Sequence, residues 1–146
     1  MSGCTPPEEL HGFGTLLQYY DPIAELWVTV GGTNDIPFPD DTTEAVDTTS
    51  NDTEGGYKTS IPSPLSELGQ ASYNARFRWA QWAKLVSMKA NRTITDWRMV
   101  LMNPQQTFLK YCAWIQALGG DAPMEGLVMG EITLQPTGGP EWGQLL

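Results

Sequence analysis

GGTNDIPFPDDTTEAVDTTSNDTEGGYKTSIPSPLSEL, residues Gly31 to Leu68, carries eight acids against a single base, Lys58. Its apolar residues are sparse: Ile36, Phe38, Ala45, Val46, Tyr57, Ile61, Leu65 and Leu68. Loops beyond about 12–15 residues are uncommon inside compact domains, and are functional or disordered when they occur. Ordering so long a backbone costs more free energy than a few scattered apolar side chains return. By itself, this arm should be mobile. Asp40-Asp41, Asn51-Asp52 and Gly55-Gly56 are turn signals within it, and folded back on itself it spans roughly 60 Å. A compact body of this chain's size has a radius of gyration of only about 15 Å. The arm overshoots its own domain, and segments of this kind fold when a partner supplies the missing contacts.

The chain's 146 residues suffice for one domain with a real core. Six Trp, five Tyr and four Phe supply that core, and the arm holds only Phe38 and Tyr57 of them. No run of 18 apolar residues occurs, so no membrane span is expected. The start, MSGCTPPEELHG, has neither a basic region nor an apolar stretch, so residues 1–12 read as a flexible tail rather than a signal peptide. Cys4 and Cys112 are too few for a disulfide framework, and a reducing setting is the simpler reading. Asn51-Asp52-Thr53 and Asn91-Arg92-Thr93 match the glycosylation pattern, read here as chance.

The net charge of −9 hides a segregation. Residues 1–57 sum to −11 with no Lys or Arg, residues 58–110 hold all eight bases and sum to +6, and residues 111–146 sum to −4. Three solvated surfaces are the bland reading. The sharper one is that opposite patches meet between copies, since complementary potentials set register and suppress wrong contacts. Candidates for such contacts are Asp40, Asp41, Glu44 and Asp47 against Lys58, Arg76, Arg78 and Lys84. So acidic a chain is a poor nucleic-acid binder, though it could form a wall that duplex DNA slides past.

Along the chain, Gly14 to Tyr20 suits a strand ended by Asp21-Pro22. Glu25 to Val30 alternates Leu26, Val28 and Val30 against Trp27 and Thr29. Gly69 to Phe77 reads as another strand, with Ala71, Tyr73, Ala75 and Phe77 on one face. Arg78 to Asn91 is the one helix, in which Trp79, Trp82, Leu85 and Val86 form the stripe expected to cover a sheet face. Its bases allow a membrane surface or nucleic acid as weaker alternatives. Thr93 to Met102 is a strand. Thr107 to Leu118 suits a strand better than a short helix. Gly126 to Gln135 is the last strand, closed by Pro136-Thr137-Gly138-Gly139-Pro140. Six or seven strands and one helix describe a mainly β chain: an antiparallel sandwich or barrel, one flanking helix, and a long extended loop or hairpin arm over about 31–68.

No phosphate-cradling glycine motif is present, and no cofactor is expected. One His and two distant Cys give no zinc spacing. Asp40, Asp41, Asp47 and Asp52 lack a calcium-loop frame. Cys4 with His11 has no orienting third group. No active site is legible.

The ordered set of segments resembles the major tail tube proteins of long, non-contractile bacteriophage tails. The residues that carry the resemblance are GTLLQYYD at 14–21, WVTVGGTNDIPFPDDTTEAVDTTSND at 27–52, IPSPLSELGQASYNARF at 61–77 and LVMGEITLQPTGGPEW at 127–142. The resemblance implies a single tail-tube domain related in fold to type VI secretion tubes, and a structural rather than enzymatic role. It implies hexameric rings that stack into a tube, with an inner barrel around the DNA channel and the long loop ordering on assembly. The implied partners are further copies of the chain, together with tape-measure, tail-tip and tail-terminator proteins. Double-stranded DNA would pass through the lumen without specific binding, in a virion tail assembled in the host bacterial cytoplasm. A tube of a secretion or contractile injection system, or a monomeric binding module, are the alternatives. Pro62-Ser63-Pro64 departs from the family's expected glycine turn, and the chain stops soon after Trp142, where some relatives carry an immunoglobulin-like domain. Ile36, Phe38, Val46, Tyr57 and Ile61 are the candidate anchors on a neighbouring copy, or else tack the arm to its own body.

Overall fold

The computed structural model describes residues 12–50 and 54–146; Cys4, His11 and the Asn51-Asp52 turn lie outside them. Among the described residues, eight strands and one α-helix are formed in the order β1 (Leu16–Asp21), β2 (Leu26–Val30), β3 (Asp41–Asp47), β4 (Ser60–Leu68), β5 (Ala71–Arg76), α1 (Trp79–Ala90), β6 (Ile94–Val100), β7 (Thr107–Asp121) and β8 (Met129–Gln144), with a 3-10 turn at Glu54–Gly56. Six strands make one antiparallel sheet ordered β2-β1-β6-β7-β8-β5, and β3 pairs with β4 in a separate two-stranded sheet.

Alternation decides which face is buried. Leu17 and Tyr19 of β1, Trp97 and Met99 of β6, Leu109, Tyr111, Ala113 and Ile115 of β7, and Ile132 and Leu134 of β8 all point into one cluster. Each lies two residues from the next on its strand, the period that puts side chains on one face. Tyr19 lies against Trp97 with ring centroids 5.2 Å apart. The Tyr73 and Tyr111 hydroxyls hydrogen-bond at 2.7 Å in the interior. Burial pushes the Tyr73 pKa up to about 12 and also raises that of Tyr111.

The sheet curls without closing into a barrel. Beyond β2, Thr33 bridges to Ala75 of β5. Arg76 N–H donates to Gly32 O at 3.1 Å, and Asn34 N–H donates to Asn74 O at 3.1 Å. These few bonds join the outermost strands at one corner only.

The helix sits on the core face in a phase different from that expected. Leu85 and Met88 are buried and Trp82 is partly buried, but Trp79 is 71% and Val86 45% exposed. The reason is at Gly130, where a Cβ would overlap the Trp82 ring. A strand glycine lets the helix approach on its Trp82–Leu85–Met88 side, which turns Trp79 and Val86 outward. Two polar ties hold it there. Gly31 N–H donates to Gln81 Oε1 at 2.8 Å, and Lys84 Nζ lies 2.6 Å from Asp21 Oδ2.

The last strand also differs from the sequence expectation. Pro136 to Pro140 does not close it, because β8 runs on to Gln144 beside β7. The register jumps from Cys112↔Thr137 to Lys110↔Glu141, so Gly138, Gly139 and Pro140 bulge out opposite Tyr111. A bulge accommodates a proline that has no N–H for the ladder.

Candidate assembly interface

Several backbone edges of the body lack a regular strand partner among the described residues. The outer edge of β2 faces no ladder, since its regular pairing is with β1 alone. On β8, β5 covers only Met129 to Leu134, so the half from Pro136 to Gln144 pairs with β7 alone. On β7, β6 pairs only up to Trp114, so the segment after it has β8 alone for a partner. Unpaired edges present rows of N–H and C=O groups that template pairing with another chain.

The arm is the second feature. Rather than being shapeless, it folds as the β3–β4 hairpin, with Val46 opposite Ile61 and Asp41 opposite Leu68. The root is fixed: Gly69 N–H donates to Asp40 O at 2.7 Å, and Leu68 is buried. Past the root, every residue of β3 is exposed, as is every residue of β4 except Leu68 and the half-buried Ser63. A two-stranded hairpin is marginal in water by itself, and this one meets the body near its root, where Thr43, Ser66 and Leu68 line a pocket with Gly138, Gly139 and Pro140 of β8. Thr43 and Ser66 hydroxyls bond across it, and Thr48 Oγ1 lies 2.9 Å from Thr59 Oγ1. The Thr49 N–H and hydroxyl hold the Asp47 carboxyl below its ordinary range.

The candidate anchors divide into two sets. Ile36 packs against the core cluster, and Phe38 stacks edge-on against Trp142 of the same chain. Val46 and Ile61 stand exposed, and Tyr57 is 78% exposed. Among the described residues, no candidate acid forms an ion pair with a candidate base within the chain: Lys84 binds Asp21, a residue outside that set. Asp40, Asp41, Glu44, Asp47, Lys58 and Arg76 are exposed, and Arg78 is the extended residue that precedes α1. Leu65, 78% exposed on the hairpin, belongs with Val46 and Ile61. The signal it carries in the sequence is its place among the arm's sparse apolar residues.

The outer face of the large sheet, opposite the helix, is polar and aromatic. The Arg98 guanidinium lies 4.1 Å from the Trp27 ring centre, and Arg98 Nε donates to Gln18 Oε1 at 2.7 Å. Gln18 Nε2 in turn donates to Thr29 Oγ1 at 3.0 Å, and Lys110 pairs with Glu141 at 3.1 Å. Among the described residues, no His, Cys, Asp and Glu cluster is arranged to hold a metal ion, and no helix is long and apolar enough to cross a membrane.

No protein-family model matches the chain, and no curated protein matches it by sequence. Solved structures do match. A chain from the tail of an empty gene transfer agent particle with C6 symmetry superposes with a TM-score of 0.71 at 14% identity, covering 88% of this chain and 95% of that one. A chain from the sheath–tube complex of the extracellular contractile injection system PVC gives 0.68 at 13% identity, covering 94% and 93%. The SPP1 tail tube gives 0.61 at 13% identity, covering 93% and 80%. With the identity so low and the coverage so nearly complete, the likeness is one of architecture: this chain has the fold of the tail tubes.

Proposed function

We propose that the chain is the structural subunit of a phage-type tail tube, assembling with copies of itself into stacked six-membered rings. The observation that supports this most is the combination of a full-length tail-tube fold with partnerless edges on β2, β7 and β8. Edge-to-edge pairing between copies removes the exposed edges that a lone protomer would otherwise present. On this reading the tube belongs to a virion tail put together in the host bacterial cytoplasm. It meets tape-measure, tail-tip and tail-terminator proteins, and DNA passes through it. The net charge of −9 favours passage over adhesion, since like charges release no counterions to one another. No catalytic step is part of this role.

A second reading, a tube of a contractile injection system, is favoured by the match to the PVC sheath–tube complex. The two separate on whether the assembled tube takes a sheath. Negative-stain micrographs of the concentrated full chain test the shared core of both: tubes or stacked rings with six-fold end views are expected. Single protomers at every concentration would contradict it.

A further inference from the structure

The arm's exposed face and a groove on the body have matching chemistry of opposite sign. The groove lies where α1 ends and β6 begins, with a cavity volume of about 420 Å³. Ile94 of β6 and its cross-strand partner Trp114 of β7 lie in it, with Lys89 and Arg92 beside them. Ile94 is 60% exposed although it pairs with Trp114. Neither Lys89 nor Arg92 has a carboxylate partner among the described residues.

On the hairpin, Val46 pairs with Ile61 and Thr42 with Glu67; between these pairs the register shifts opposite Glu44, and there Leu65 lines one concavity with Thr42, Glu44 and Glu67. The hairpin thus offers exposed apolar side chains beside two carboxylates, and the groove is an apolar floor flanked by two cations. Apolar contact supplies affinity, while the flanking charges set orientation and on-rate. Strand addition along β4 is disfavoured, because Pro62 and Pro64 lack the N–H groups it needs. Docking by the face needs no such groups. The arm does not cover its own groove, since none of the groove's lining residues belongs to the arm and the root at Asp40 and Gly69 is closed.

We infer that Val46, Ile61 and Leu65 of the arm dock into the Ile94–Trp114 groove of a second copy, with Glu44 and Glu67 meeting Lys89 and Arg92. This rests on the reading that the chain self-assembles, and names the surfaces that meet.

Charge exchange in the full chain tests it, read as the protein concentration at which high-mass species appear in sedimentation. K89E/R92E and E44K/E67K are each expected to raise that concentration about tenfold or more. The four-fold variant, with both signs exchanged, should return to within about threefold of the natural chain. Far-UV circular dichroism checks that each variant folds. Leu65→Ser and Ile94→Ser, at exposed positions, give a second pair expected to weaken assembly alike. Unchanged assembly in the charge pairs and serine variants, or a four-fold variant as defective as either pair, would overturn the groove as the arm's receptor and leave it to another acidic partner. A natural chain that never assembles overturns the self-assembly reading itself, and the groove with it.

Discussion

Phe38 meets Trp142 edge-on, with ring centroids 5.8 Å apart and planes at 84°. The contact joins the start of the arm to the far end of β8, and divides the arm into an anchored root and an exposed hairpin. An edge-to-face pair contributes about 0.5–1.5 kcal/mol beyond its area. Phe38→Ala should therefore lower the unfolding free energy by about 1–2 kcal/mol in urea titrations. No change in the midpoint would mean that the root is not tied there.

The ion pair between Lys84 and Asp21 makes the helix sensitive to acid. The hydrogen bond from Lys84 lowers the Asp21 pKa, assisted by the Ile23 and Ala24 N–H groups and opposed by burial. A carboxyl whose folded pKa lies below its unfolded one stabilises the fold above the unfolded value, about 4, and that stabilisation is lost as pH falls through the folded value. Thermal unfolding followed from pH 6 downward should show a loss below about pH 4 that is smaller in Asp21→Asn. Identical pH profiles for the two proteins would remove Asp21 as the cause.

Gly130 sets how closely α1 approaches β8. Gly130→Val forces the Trp82 ring aside and should destabilise by about 1–3 kcal/mol. The Trp82 environment should change with it, as a shift in tryptophan fluorescence. An unshifted spectrum and an unshifted midpoint would show that the helix does not rest on this glycine.

The buried hydroxyl pair of Tyr73 and Tyr111 should behave as a unit. Removing one partner leaves the other's hydroxyl with less to bond, so Tyr73→Phe and Tyr111→Phe are each expected to cost about 1–2 kcal/mol. The double variant should cost less than the two losses together, by about 0.5 kcal/mol or more. Strict additivity in a denaturation cycle would contradict a direct bond.

The sequence made the strand alternation and the single helix legible because each is set by the local spacing of apolar side chains. Leu17 and Tyr19, or Tyr73 and Ala75, announce their face without help from the rest of the chain. The helix phase was not legible, since it depends on Gly130, a residue forty positions beyond the helix end. Nor was the run of β8 through Pro136 and Pro140, where a turn and a bulge have the same composition and only the pairing with β7 separates them. The arm's length and acidity were plain, but its division into root and hairpin was not. Phe38 and Val46 look alike as isolated apolar residues, and only Trp142, distant in sequence, distinguishes them. The groove beside Lys89 and Arg92 was hidden for the same reason, because β6 and β7 must pair before Ile94 meets Trp114.

Hydrogen exchange of the arm amides, compared between dilute protomer and assembled material, tests most directly whether copies supply the surface that the arm lacks. The account predicts rapid exchange over residues 41–47 and 60–67 in the dilute chain, slowed about tenfold or more on assembly. Equal protection of those amides in both states would contradict it.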